Sequence, residues 1–212
     1  MILLRRVSFL AAVLLPLIGS HTVLAADEEV HWSAIAPQDR QVQWQAQDLA
    51  ASPHMAESFT APLGYRIERY FWRAQKPAGA FAIVVLRDLT GDDHYLSGPV
   101  DLMKFARTVL KGLEAPSPKA LDDKDHERQT PAGPAETRRF ELGARECLAV
   151  GFYAAPEGKA PAKGHALTEG SLRLDGVYCA SAGEKMTEER AKATAGALRL
   201  GQADEADSSA TK

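Results

Sequence analysis

The residues of this 212-residue chain that could do chemistry fall into a few small groups. The sharpest is Thr90-Gly91-Asp92-Asp93-His94-Tyr95. Two carboxylates and an imidazole on one short loop offer oxygen and nitrogen donors for a divalent cation, or an acid and a base for hydrolysis. The same residue types also make a turn, because Gly and Asp supply the backbone angles and local hydrogen bonds that a turn needs. Three consecutive side chains cannot all point at one centre, and spacing fixes no other acid or histidine beside them. The expected role of Asp92, Asp93 and His94 is therefore structural, with metal binding or acid–base hydrolysis as the alternative. Asp122, Asp123, Asp125 and His126 form a second acidic group, in a stretch where ordering ligands around a metal would cost backbone entropy.

A third group is aromatic and basic. Along Tyr65-Arg66-Ile67-Glu68-Arg69-Tyr70-Phe71-Trp72 a strand's alternation puts Arg66, Glu68, Tyr70 and Trp72 on one face and Tyr65, Ile67, Arg69 and Phe71 on the other. Both faces are mixed, so one of them should stay partly open. Arg66, Tyr70 and Trp72 are the candidate binding face, since stacking and bidentate hydrogen bonds suit an anionic or sugar-like ligand or a protein partner; the alternative is cross-strand covering, with Arg66 paired to Glu68 or a neighbour. Catalytic signatures are otherwise missing from the chain. It has no Gly-x-Ser-x-Gly elbow, no His-Glu-x-x-His, no glycine-rich phosphate loop and no Cys-x-x-Cys. No cofactor is implied.

The two cysteines, Cys147 and Cys179, carry the firmest chemistry. Glu146 to Ala154 and Ser171 to Ser181 both read as strands. An antiparallel pairing about residue 163 sets Cys147 opposite Cys179, and the same register aligns Leu148 with Tyr178, Val150 with Gly176 and Phe152 with Leu174. A disulfide follows, which implies an oxidising compartment.

Export is also written at the start of the chain. Arg5 and Arg6, the apolar stretch from Val7 to Gly19 and Val23-Leu24-Ala25 have the three-part form of a cleaved secretory signal over residues 1–26. The apolar run is short for a membrane span, so no stable membrane insertion is expected after cleavage, and the mature protein should be periplasmic or secreted. Cleavage removes two arginines and no acid, which moves the formal charge from −3 to −5. That balance, in that compartment, argues against a nucleic-acid partner. Hydrophobic residues make up 45% of the chain, which excludes low-complexity disorder and is enough to build one core.

The elements that must position these residues follow from periodicity. Gln41 to Gln47 alternates as a half-buried strand, and Tyr65 to Arg73 and Ala80 to Leu86 should pair as a hairpin. Leu102, Phe105, Ala106, Val109, Leu110 and Leu113 make the apolar stripe of a helix capped by Ser97 or Gly98, with Lys104, Arg107 and Lys111 on its solvated face. Residues 114–136, rich in proline and charge, read as a long loop, either a lid or disordered. Thr137 to Leu142 resumes a strand, and a three-residue turn at Gly143-Ala144-Arg145 would bring Phe140 against Leu148. A last helix starts at a Thr187 cap, runs to Leu200 and packs through Ala191, Ala195 and Leu198. The expected fold is α+β: a mainly antiparallel sheet of about six strands with two helices on one face or end. The expected organisation is a signal at 1–26, one domain at 27–200 and a disordered tail at 201–212.

With scaffold signals strong and catalytic ones missing, the functional expectation is a non-catalytic exported domain that binds an envelope protein or another component of the envelope. A small hydrolase using the Asp92-Asp93-His94 loop and a periplasmic small-ligand carrier are the alternatives.

Overall fold

A computed structural model of the chain describes residues 31–61, 65–74, 78–89, 96–97, 101–111, 116–154, 169–170 and 172–201. The signal-like segment at 1–26, the Asp92-Asp93-His94 loop and the tail beyond Gly201 lie outside the described residues. In chain order the elements are β1 (Ser33–Ala34), β2 (Val42–Trp44), β3 (Met55–Thr60), β4 (Arg66–Arg73), β5 (Phe81–Asp88), β6 (Leu96–Ser97), α1 (Leu102–Lys111), β7 (Lys119–Ala120), β8 (His126–Thr130), β9 (Gly133–Leu142), β10 (Arg145–Ala154), β11 (Glu169–Gly170), β12 (Leu172–Cys179), α2 (Glu188–Gly196) and β13 (Leu198–Leu200).

The β4–β5 hairpin forms with Arg73 opposite Phe81, and β3 adds to its outer side to complete a meander. A second meander, β9–β10–β12, docks through β12 onto β5, so the strand order is β1-β3-β4-β5-β12-β10-β9-β7, with β8 also on β9. Among the described residues the sheet therefore has nine strands, where about six were expected. The additional strands are short or polar. Met55–Thr60 shows no strong alternation, and β1 and β7 are two residues each.

The largest correction is at 114–136. Instead of a loop, this stretch holds β7, β8 and the start of β9. The sequence misleads because its prolines stand where sheet structure tolerates them. Pro131 opens the tight turn between Thr130 and Gly133, where the Thr130 hydroxyl donates to the Gly133 carbonyl at 2.7 Å and accepts from the Ala132 amide at 3.2 Å.

The β9–β10 turn also differs from expectation. Leu142 pairs with Arg145, so the turn has two residues, Gly143 and Ala144, and Gly143 takes a φ of +62° that glycine adopts without steric cost. Arg139 rather than Phe140 now opposes Leu148, and Phe140 moves to the other face opposite Cys147. The β10–β12 register is the expected one throughout: Cys147 faces Cys179, Leu148 faces Tyr178, Val150 faces Gly176 and Phe152 faces Leu174. Cys147 and Cys179 form a fully buried disulfide.

Alternation along these strands sorts the apolar side chains into two cores, one on each side of the sheet. On one side Leu102, Met103, Phe105, Ala106 and Leu110 of α1 pack on Phe140, Cys147, Ala149, Tyr153, Val177 and Cys179. On the other, Tyr70, Trp72, Val84, Leu86, Leu148, Val150, Phe152 and Tyr178 are covered by Val42, Trp44, Ala191, Ala195 and Leu198. The two helices thus lie on opposite faces rather than sharing one. The cap of α1 is Asp101, whose carboxylate accepts from the Lys104 amide at 2.8 Å. Thr187 caps α2 as expected, accepting from the Arg190 amide at 3.3 Å. That helix stops at Gly196, and Leu198–Leu200 instead forms a strand against Val42–Trp44.

Candidate functional site

β4 presents both of its faces as the alternation requires, but the closed one is the opposite of the one expected. Tyr70 and Trp72 are completely buried and stack with ring centroids 5.6 Å apart. Ile35 and the β2–β13 ribbon lie over this face in the same apolar cluster. Arg66 alone keeps an exposed side chain, at 40%. The expected Arg66, Tyr70 and Trp72 binding face is therefore core, because residues 35–49 fold back across it, which no local pattern in β4 reveals.

Within that core sits a polar chain. The Glu68 carboxyl, with no exposed surface, accepts a short hydrogen bond from the Tyr70 hydroxyl and faces Arg66 Nε at 2.6 Å. The Tyr70 oxygen in turn accepts from the Gln41 amide at 3.0 Å, and Gln41 Nε2 donates to Asp88 at 3.3 Å. Burial pushes the Glu68 carboxyl above the usual glutamate range, although the Tyr70 hydrogen bond and the Arg66 charge pull it back in part. Burial and the neighbouring Glu68 likewise push the Tyr70 phenol up. The group is tied into the fold by Arg66, Gln41 and Asp88, all three only half-buried.

The other polar groups are occupied in the same way. Asp122, expected as a loop residue, binds Arg139 through its side-chain Nε at 3.0 Å, Nη2 at 2.7 Å and backbone amide at 2.8 Å. Its burial would raise the carboxyl, but these bonds outweigh that and hold it below the usual aspartate range. Arg138 gathers the Asp122 and Asp123 carbonyls and the Asp125 carboxylate. The acidic group at 122–126 is thus an arginine-binding loop. Asp48 takes the Tyr178 hydroxyl and Arg190, and Asp175 is held between Arg87 at 2.5 Å and Arg173 at 2.9 Å.

The open face of β4 is the other one. Ile67, Arg69, Phe71 and Arg73 alternate along β4, and Phe81, Ile83, Val85 and Arg87 along β5, on the same side as α1. That helix lies across β9, β10 and β12. Over β3, β4 and β5 the large side chains Met55, Phe59, Phe71, Phe81 and Ile83 stay half-buried, and Trp32 joins them at the edge. Arg69 lies 3.9 Å above the Trp32 ring and binds Glu57 through two nitrogens. Arg73 is exposed, and so are Lys104, Arg107 and Lys111 on the outer side of α1. None of these four cations makes an ion pair among the described residues, and α1 carries no acid.

This shelf of Phe59, Arg69, Phe71, Phe81 and Ile83 is what sequence reasoning missed. The signal was present, since two mixed faces on β4 required one of them to stay open. Choosing between them depended on the coverage by residues 35–49. Comparison with known proteins gives no guide: no protein-family model, curated protein or solved structure is significantly similar to this chain.

Proposed function

We propose that the chain is an exported, non-catalytic binding or accessory protein of the cell envelope, which engages an envelope partner through the half-open β3–β4–β5 face. The observation that carries this reading is the contrast within one molecule. Among the described residues the buried acids, Glu68, Asp122 and Asp175, are each consumed by arginine or tyrosine partners, while a contiguous set of aromatic and aliphatic side chains is left half-covered. Anchors of that type dominate the energy of protein interfaces. A periplasmic or secreted location is supported by the signal-like residues 1–26 and by the buried disulfide, which persists in an oxidising compartment.

The test is photo-crosslinking in cells that export the protein, with a photoreactive residue at position 83 on the shelf or at position 192, an exposed site on α2 across the sheet. Adducts at 83 and none at 192 are the expected result. Adducts confined to 192, or none at either position, would remove the reading.

A further inference from the structure

Resting on the reading that β3–β4–β5 is the working face, we infer that its partner is an acidic amphipathic helix of another protein, laid on the shelf beside α1. Neighbouring strands lie about 4.8 Å apart, so β3, β4 and β5 span roughly the width that one helix of about 10 Å covers, as α1 does over β9, β10 and β12. Among the described residues, the two halves of this side therefore differ by one helix. On the occupied half, α1 buries Leu102, Met103, Phe105, Ala106 and Leu110, whereas on the other half Ile67 and Val85 are buried but Phe59, Phe71, Phe81 and Ile83 around them remain half-buried.

Charge selects among occupants. The shelf interleaves its apolar residues with Arg69, Arg73 and Arg87, and the neighbouring helix adds Lys104, Arg107 and Lys111. Among the described residues the acids beside them are Glu57 on β3, paired with Arg69, Asp175 on β12, paired with Arg87 and Arg173, and Asp101 at the α1 cap. Among the described residues the surplus here is positive, in a chain whose formal charge is −3 overall. A helix with an apolar stripe and acidic flanks would meet hydrophobic side chains below, the exposed Lys104, Arg107 and Lys111 of α1 along one side and Arg73 at the end of β4. A flat anionic membrane fits less well. α1 stands roughly a helix diameter above the sheet, so a planar surface touching Lys104, Arg107 and Lys111 would not reach Phe71 and Ile83.

The experiment uses fluorescence anisotropy with a labelled synthetic amphipathic peptide of about 18 residues, leucine on one face and glutamate on the other, and a matched peptide with lysine for glutamate. The glutamate peptide should bind the full chain, more weakly as salt rises, and the lysine peptide should not. Phe71→Ser with Ile83→Ser, and separately Arg73→Glu with Lys104→Glu and Arg107→Glu, should each weaken binding roughly tenfold, while Lys192→Glu leaves it unchanged. Native near-ultraviolet circular dichroism and zero free thiols show that each variant is folded. Equal binding of both peptides, association with phosphatidylglycerol vesicles in place of the peptide, or self-association lost in Ile83→Ser without peptide binding would each overturn the inference. If the peptide fails while crosslinks at 83 persist, the partner chemistry is wrong and the working face stands; if both fail, both readings fall.

Discussion

Glu68 illustrates how a residue's neighbours decide its role. Read along β4, it is the charge between Arg66 and Tyr70 on a face that looked suited to a ligand. In the fold it is a fully buried carboxyl that accepts from Tyr70 and sits against Arg66. Burial makes it harder to ionise in the folded chain than in the unfolded one, so the folded state retains a proton over the interval above the ordinary glutamate value. The unfolded state binds fewer protons there, and stability falls as pH rises through that interval. Glu68→Gln removes the ionisation and keeps a neutral acceptor for Tyr70. Its stability relative to the parent should therefore improve as pH rises above the ordinary glutamate value of 4.5, as read from urea denaturation at each pH. A relative stability that declines over that range would show the Arg66 pair to dominate. What was legible at this scale was the alternation itself; the burial of Tyr70 and Trp72 was not, because their cover comes from Ile35, Val42 and Trp44, distant in sequence.

At the scale of elements, the β10–β12 ladder was readable to the residue because two constraints, a cysteine pair and a row of apolar partners, had to agree in one register. Free-thiol counting on denatured, unreduced protein should give zero. Cys147→Ser and Cys179→Ser should each lower stability by about 2–5 kcal/mol, and the double variant should be no worse, because each releases the same loop. The β9–β10 turn had one constraint only, the apolar match of Phe140, and that match was misleading. Arg139 can oppose Leu148 because Asp122 neutralises it, and Asp122 lies in the stretch whose prolines hid β7 and β8. Gly176 adds an element-level requirement that composition alone does not explain. A Cβ there would stand 3.1 Å from Val150 Cγ1 and 3.2 Å from Trp44 Cζ3, so the glycine lets the ring from β2 lie directly on β12. Gly176→Val should cost about 1–3 kcal/mol or more through overpacking, measurable as a lower urea midpoint, with a shift in tryptophan emission as Trp44 is displaced.

Over the whole molecule, the described chain closes on itself: β13, near its C-terminal end, pairs with β2, near its N-terminal end, and together they cover the core side of β4 and β5. This long-range pairing is the part of the architecture least visible in the sequence, where Leu198 to Leu200 looks like the last turn of a helix. Leu198 is fully buried, and the Trp44 indole donates to the Thr194 carbonyl at 2.9 Å just before the strand. Ending the chain after Ala197 removes the Leu198 side chain from the core and three residues of ladder from β2. The loss should be about 3 kcal/mol or more, and it should loosen the cover over Tyr70 and Trp72. The expected signature is a lower urea midpoint, a red shift in tryptophan emission and new binding of a hydrophobic dye, all with the Cys147–Cys179 disulfide intact. Because the shelf lies on the opposite side of the sheet, the truncated chain, where folded, should still bind the acidic helical peptide. Parent-like stability after the truncation would mean that β2 holds its place without β13, and that the closure of the two ends is not what shuts this face of β4.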